Sequence, residues 1–168
     1  MPYANHFRLT DDLILHLNGV VASIADPFIA TRYVGFVAIA GTTVYELAIR
    51  DILVEFSEEQ HEIFGRFVNK SFEKLNGRIK TSEIRGIYLP RFGDKYVKRY
   101  NRIEKWIERS VLRKRGVSVL AAYNNLIEWR NQFAHQGNIP STPSYPEVVG
   151  TYEIGKAVIH CLARTMQG

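Results

Sequence analysis

Apolar residues recur at intervals of three and four along most of this chain, and this spacing constrains the fold more than any other feature of the sequence. In residues 11 to 24, Leu13 and Leu17 belong to a stripe on one helical face, and Thr10 or Asp11 can cap that helix. No stretch shows an alternation of apolar and polar residues strong enough to build a sheet. The sequence therefore predicts an all-α protein, a bundle of about five to six helices.

Residues that begin and end helices divide the chain further. The predicted helices cover residues 11–24, about 28–56, 57–75, 95–115, 117–135 and about 146–166. Ser57 is the predicted cap of the third helix, Gly116 interrupts the chain after the fourth, and Gly137-Asn138-Ile139-Pro140 stops the fifth. Turn signals that begin at Asn76-Gly77 mark residues 76–95 as a section of turns.

Length and composition suit one domain of ordinary size. The 168 residues, 46% of them hydrophobic, can form a single core, so the prediction is one domain over residues 1–168. The most apolar run, residues 33–45, has 13 residues and is too short to cross a bilayer. Cys161 is the single cysteine and cannot form an internal disulfide. Because no apolar region follows a basic start at the N-terminus, we expect a soluble cytoplasmic protein.

Positive charge is concentrated in one predicted helix. The chain carries a net charge of +5, and residues 95–115 hold nine Lys or Arg against Glu104 and Glu108. This segment alone is +7, so the rest of the chain sums to −2. Such clustering is expected of a protein that binds a polyanion, although a solvated helix face gives the same pattern.

An arginine interrupts the apolar stripe of the fifth predicted helix. At about 100° per residue, Arg130 lies within about 20° of Val119 and Tyr123. A buried guanidinium without a partner is costly, so Arg130 must reach a carboxylate, a cleft or an anion. Glu46 interrupts the stripe of the second helix in the same way, which predicts a Glu46–Arg130 ion pair with Asp51 as the rival partner.

Asn131 and His135 lie one turn apart on another face of the same helix. A long guanidinium can reach that face, so Arg130, Asn131 and His135 can converge at the C-terminal end of the helix. Two interpretations stay open at this point. The residues form a functional site, or Arg130, Glu46 and His135 form a satisfied polar network that serves only the fold.

The segment Arg130-Asn131-Gln132-Phe133-Ala134-His135, followed by Gln136-Gly137, resembles the R-x4-H motif of the HEPN superfamily (higher eukaryotes and prokaryotes nucleotide-binding). The family pattern is an arginine, often with a polar residue directly after it, and a histidine at the end of the same helix. Glu46 matches the acidic residue that the family often carries on an earlier helix. The section of turns at residues 76–95 is not something that the family predicts.

This resemblance implies a metal-independent endoribonuclease that works as a homodimer, with two R-x4-H motifs in one cleft. It also implies a place in toxin–antitoxin or phage-defence systems, with an antitoxin or another defence protein as partner. The residue types suit this chemistry, because histidine transfers protons near neutral pH and the arginine fork can hold phosphate oxygens. The predicted catalytic residues are Arg130, Asn131, His135 and Glu46.

The homodimer also has a chemical reason. Cleavage by the 2′-OH of RNA requires a base for that hydroxyl and an acid for the leaving 5′-oxygen. A single R-x4-H motif supplies one histidine, His135, whereas two copies across a two-fold axis supply two.

RNA is the partner that both the resemblance and the basic helix suggest. The predicted RNA-binding residues are Lys98, Arg99, Arg102, Lys105, Arg109, Arg113, Lys114 and Arg115. Tyr96, Tyr100 and Trp106 are available for stacking on bases, but their helical spacing favours a core position for Trp106. The remaining histidines show no partner pattern and are predicted to be surface or packing residues: His6, His16, His61 and His160.

No metal or nucleotide cofactor is expected. The chain has no glycine-rich phosphate-binding motif, and His61-Glu62 lacks the second histidine of an H-E-x-x-H site. Two alternative functions stay open. One is a non-catalytic helical module in which Arg130 and His135 serve the fold or bind a nucleotide, RNA or a protein partner. The other is a basic RNA-binding adaptor without chemistry.

Overall fold

The chain forms an all-α bundle in a computed structural model that describes residues 2–75, 77–136 and 143–167. The predicted fold class is thereby confirmed. The helices are α1 (Phe7–Val21), α2 (Pro27–Gln60), α3 (Glu62–Ser71), α4 (Thr81–Glu83), α5 (Asp94–Arg115), α6 (Val119–Gln136) and α7 (Tyr145–Met166). Six of them are longer than one turn, and no described residue lies in a strand. The predicted stop at residues 137–140 lies outside the described residues.

The first helix begins earlier than its sequence predicts. A 3₁₀ turn, Pro2–His6, leads directly into α1 at Phe7, so Thr10 and Asp11 lie inside the helix and do not cap it. The Asp11 carboxylate accepts a hydrogen bond from the Tyr152 hydroxyl at 3.0 Å. The predicted cap is therefore wrong, and Asp11 instead ties α1 to α7.

The predicted start of the third helix at Ser57 is also wrong. α2 continues through Ser57, whose hydroxyl donates to the Leu53 carbonyl at 2.7 Å. A serine can satisfy its hydroxyl within a helix in this way, so it need not mark a helix start. The cap of α3 is His61, whose Nδ1 accepts a hydrogen bond from the Ile63 backbone N–H at 3.1 Å.

Residues 76–95 contain more helix than the turn signals predict. α4 continues without a break as a π-helical turn, Ile84–Tyr88, and then as a 3₁₀ turn, Leu89–Phe92. Ile84, Tyr88 and Leu89 are buried in the core, and this apolar anchoring outweighs the turn residues between them. The predicted break after the basic helix is correct, because Gly116 ends α5 in the left-handed region at φ +68°.

The core lies between α2, α6 and α7 and is rich in tyrosine. The Tyr45 ring stacks on Tyr123 and Tyr152, with centroids 5.2 and 5.7 Å away, and its hydroxyl donates to the Tyr152 carbonyl at 2.5 Å. Gly155 of α7 packs against the Tyr123 backbone, and Tyr152 and Leu126 meet at Gly41. These contacts set α6 antiparallel to both α2 and α7.

Within the described part of the chain, no helix combines the length and the apolar character that crossing a membrane requires.

Candidate active site

Arg130 lies on the buried side of α6, as its spacing predicts. Val119, Tyr123, Leu126 and Ile127 occupy that side of the helix and are almost fully buried. The Arg130 side chain itself is 27% exposed. Its aliphatic part therefore belongs to the core, and its guanidinium stands at the boundary with solvent.

Three neighbours surround the Arg130 guanidinium. Glu46 Oε1 lies 3.9 Å from Arg130 Nη2, at the outer limit for an ion pair. Arg130 Nη1 donates a hydrogen bond to Asn131 Oδ1 at 3.0 Å. Gly77 lies against the same nitrogen, because a Cβ added at Gly77 would stand 2.9 Å from Nη1. The predicted Glu46–Arg130 contact is present but loose, and within the described part of the chain the guanidinium donates one hydrogen bond, to Asn131.

The Glu46 carboxylate balances this charge only incompletely. Its side chain is 23% exposed, and burial raises its pKa above the usual value for glutamate. The nearby Arg130 charge and the Gly77 backbone N–H offset part of that rise in pKa. A carboxylate 3.9 Å from a guanidinium neutralises it less than one in direct contact, which leaves positive charge at Arg130 for an anion.

A loop that sequence reasoning did not connect with the site runs along α6. After Gly77, the Ile79 carbonyl accepts a hydrogen bond from the Tyr123 hydroxyl at 2.8 Å. Lys80 Nζ then pairs with Glu128 at 3.1 Å. Residues 77–80 therefore form one wall of the Arg130 site. The Asn76-Gly77 pair signalled a turn in the sequence, but no local pattern indicates which helix that turn contacts.

His135 lies on the last turn of α6 and is exposed. Among the described residues, its side chain makes no hydrogen bond to Arg130 or Asn131. Phe133, two residues before His135, fixes this turn of α6. Its ring covers Gly35 of α2 so closely that a Cβ at Gly35 would stand 2.3 Å from the ring. The structure therefore brings Arg130, Asn131 and Glu46 together, whereas His135 lies exposed one turn beyond Asn131 and does not join their contacts.

Asp51, the rival partner predicted for Arg130, pairs with His6 instead. The Asp51 carboxylate lies 2.6 Å from His6 Nε2. His6 was predicted, like His61 and His160, to be a surface or packing residue, and the structure adds a specific contact for each. His160 Nδ1 is 2.9 Å from the Tyr3 hydroxyl, and His61 caps α3. These contacts serve the fold and lie apart from the Arg130 site.

The eight predicted RNA-binding residues all lie on α5, and seven of them are exposed. The exception is Arg99, which is partly buried and donates from Nη1 to the Thr165 carbonyl at 3.2 Å. The predicted core position of Trp106 is wrong, since the residue is 62% exposed. Trp106 lies about 120° around the helix from buried Tyr100, and this angle takes it off the core side.

The basic surface and the Arg130 site occupy different ends of the bundle. The Arg164 guanidinium lies 5.8 Å from the Trp106 ring, which places Trp106 at the C-terminal end of α7. Since α6 and α7 are antiparallel, Arg130 is level with the first turn of α7. The rise of an α-helix then separates the two places by about 24 Å along the bundle.

Metal ligands do not converge among the described residues. No group of three or more His, Cys, Asp or Glu side chains in that part of the chain is placed to hold a metal ion.

Comparison with known families gives one match. The model of the RiboL-PSP-HEPN family matches residues 5–167, which is nearly the whole chain. The protein therefore belongs to the RiboL-PSP-HEPN family, within the HEPN superfamily. Nothing among curated proteins or solved structures matches the chain significantly.

Proposed function

We propose that this chain is a metal-independent endoribonuclease of the HEPN type that acts in the cytoplasm as a homodimer of one-domain subunits. The observation that carries the proposal is the Arg130 guanidinium, held between Glu46, Asn131 and Gly77 with an accessible His135 on the same helix end. Membership in the HEPN superfamily makes RNA the expected ligand.

Each residue has a role in cleavage by the 2′-OH. His135 of one subunit accepts the 2′-hydroxyl proton, and the 2′-oxygen forms a bond to phosphorus. Arg130 binds the non-bridging oxygens on which charge develops, and Asn131 holds that guanidinium. The bond to the 5′-oxygen breaks as His135 of the second subunit donates a proton to it. Glu46 positions Arg130, and the products are a 2′,3′-cyclic phosphate and a 5′-hydroxyl.

An exposed apolar surface near the C-terminal end of α6 supports the homodimer. Phe36 on α2 is 49% exposed and makes edge contacts with Tyr33 and Phe133, at centroid distances of 5.9 and 6.0 Å. Ile39, one turn along α2, is also exposed. Exposed aromatic side chains that lie together mark interaction surfaces, and a second copy seated here would bring together the two α6 ends that carry His135.

The basic helix supports RNA as the substrate. Its exposed lysines and arginines can neutralise backbone phosphates and raise the rate of encounter with RNA. We further propose that the activity serves in toxin–antitoxin or phage defence and that a protein partner controls it, as the resemblance implies.

The test is incubation of purified protein with total RNA in EDTA. Wild type is expected to cleave, and His135→Ala to lose at least about 100-fold of the rate, since general acid–base catalysis contributes about 10²–10⁴. His16→Ala is the matched control, because His16 is an exposed histidine on α1, a helix that contributes no residue to the site. Loss of cleavage in EDTA, or equal cleavage by His135→Ala, would refute the proposal.

The contacts of Arg130 also favour a second candidate, a non-catalytic helical module. Arg130 packs against Gly77 and faces Glu46, so part of its role is structural. Arg130→Lys separates the two candidates. It keeps the charge but loses the fork that holds two phosphate oxygens. A ribonuclease should lose activity with its fold intact, whereas a module that uses Arg130 only for folding should lose stability with no cleavage in either form.

A further inference from the structure

Helix α5 carries a continuous stripe of positive charge on its outer face. At about 100° per residue, six exposed cations fall within an arc of about 80°. They are Lys95, Lys98, Arg102, Lys105, Arg109 and Arg113. At about 1.5 Å per residue the stripe is about 27 Å long. Lys114 and Arg115, at the end of the helix, lie outside this arc.

Both carboxylates within this part of α5 are turned inward. Arg85 donates to the two Glu104 oxygens at 2.8 and 2.6 Å, and Glu104 is buried. Glu108 Oε2 accepts a hydrogen bond from the Leu120 backbone N–H at 3.1 Å. The outward stripe is therefore not balanced by the acidic residues on its own helix, as a solvated helix face of mixed charge would be.

A large aromatic side chain stands at the edge of the stripe. Trp106 lies about 20° from the line through Lys95 and Arg113 and is 62% exposed. It forms part of a groove of about 510 Å³ between Arg102, Lys105, Arg109, Ser110, Arg113 and Lys114. The other tryptophan, Trp129, is buried. Trp106 is therefore exposed because of where it lies on α5.

A second groove continues the first along the helix. It measures about 500 Å³, is lined by basic residues and Tyr96, and shares Arg102 with the groove at Trp106. The two together give an extended path with cations throughout and an aromatic side chain in each half. The inward side of α5, centred on buried Tyr100, is committed to the core, so the helix has no broad apolar face to insert into a membrane.

We propose that this stripe binds single-stranded RNA, with an unpaired base stacked on Trp106 and the backbone phosphates on the flanking cations. An exposed indole can stack only on a base whose face is open, and double-stranded RNA does not offer one. The surface lies about 24 Å along the bundle from Arg130, so it captures the strand and takes no part in the chemistry. This inference rests on the proposed function and names unpaired RNA as its substrate class.

Binding to an oligouridylate of about 12 nucleotides tests the proposal, because single-strand grooves hold about 4–16 nucleotides. All variants carry His135→Ala, so that the RNA stays intact. Trp106→Ala should weaken the Kd at least about fivefold, and Trp106→Phe should weaken it less. Leu112→Ala is the matched control, because Leu112 is an exposed apolar residue of the same helix that lines neither groove. It should bind like its parent.

Further measurements distinguish single-stranded from double-stranded RNA, and RNA from an anionic membrane surface. Quenching of Trp106 fluorescence by the single strand, absent with the same strand in a duplex and absent in Trp106→Phe, supports the proposal. Unchanged affinity in Trp106→Ala, equal loss for duplex and single strand, or binding to anionic phospholipid vesicles without binding to RNA would overturn it. Absence of cleavage by the wild type, with this binding intact, would reject the proposed ribonuclease and leave the binding surface standing.

Discussion

At the scale of single residues, the Arg130 site depends on a residue without a side chain. Gly77 has φ +78° and lies so close to Arg130 that a Cβ would stand 2.9 Å from Nη1. Gly77→Ala should therefore cost about 1–2 kcal/mol of unfolding free energy for the left-handed backbone and also displace the guanidinium. Urea unfolding and the cleavage rate measure the two effects separately.

Gly116 supplies the matched control for that substitution. It also lies in the left-handed region, at φ +68°, but a Cβ there would meet nothing within 4 Å. Gly116→Ala should show a similar loss of stability and retain cleavage. If both alanine variants cleave RNA at the same rate, the packing of Gly77 against Arg130 does not contribute to cleavage.

Glu46 makes a prediction about pH. Because burial raises its pKa in the folded chain, folded protein holds this proton more tightly than unfolded protein does. The Glu46 carboxyl group therefore makes its full contribution to stability below its pKa in the unfolded chain, about 4.3. That contribution is lost as the pH rises through its raised pKa in the folded chain. Gln stays neutral, so Glu46→Gln should gain stability relative to wild type as the pH rises above the unfolded pKa, and the gain should level off above the raised folded pKa. A difference in urea midpoint that is constant between these two pKa values would contradict the assignment.

At the scale of elements, the helices were predictable where apolar spacing is long and regular. The all-α class and the helix after Gly116 follow from spacing and from one glycine. Ser57 misled because a helix interior also accommodates a hydroxyl that donates to a carbonyl one turn earlier. Thr10 misled because the 3₁₀ turn Pro2–His6 leads directly into α1 and moves the start of the helix upstream. Trp106 misled because an aromatic side chain suggests core, whereas its angle on α5 places it outside.

An ion pair joins two elements that the sequence did not connect. Arg85, in the π-helical turn, pairs with Glu104 of α5 at 2.6 Å, and the Glu104 side chain is only 8% exposed. Arg85→Ala leaves that carboxylate buried without its partner and should cost about 2 kcal/mol, less than a fully buried pair because Arg85 is 41% exposed. Chemical denaturation measures the loss.

The control is another arginine in an exposed pair. Arg66 and Glu62 lie 2.6 Å apart on α3 with most of both side chains exposed. Arg66→Ala should change stability by less than about 0.5 kcal/mol. Equal losses in the two variants would mean that burial of Glu104 does not decide the energy of its pair.

At the scale of the whole molecule, tertiary contacts decide what sequence patterns leave open. The motif Arg130, Asn131 and His135 and its partner Glu46 could be proposed from spacing and resemblance. The loop at Gly77 could not, since it is distant in sequence and reaches α6 only through the packed bundle. The same packing turns Glu104 inward, where it pairs with Arg85. The outer face of α5 therefore keeps its positive charge unbalanced by this carboxylate.

Cys161 reports on the integrity of this packing. It is buried beside Tyr100, and burial raises the pKa of its thiol to about 12. At about pH 8 only about one thiol in ten thousand is ionised, so a disulfide reagent should label native protein only as fast as it opens. One thiol per chain should react at once in urea. Complete rapid labelling in native buffer would show that α5 and α7 separate readily.

The measurement that tests the central claim most directly is the chemistry of the RNA ends produced in EDTA. Attack by the 2′-OH, with His135 as acid and base and Arg130 on the phosphorane, predicts 2′,3′-cyclic phosphates and 5′-hydroxyls, and none of these ends from His135→Ala. Fragments that carry 3′-hydroxyls and 5′-phosphates, or the same ends from His135→Ala, would contradict the account.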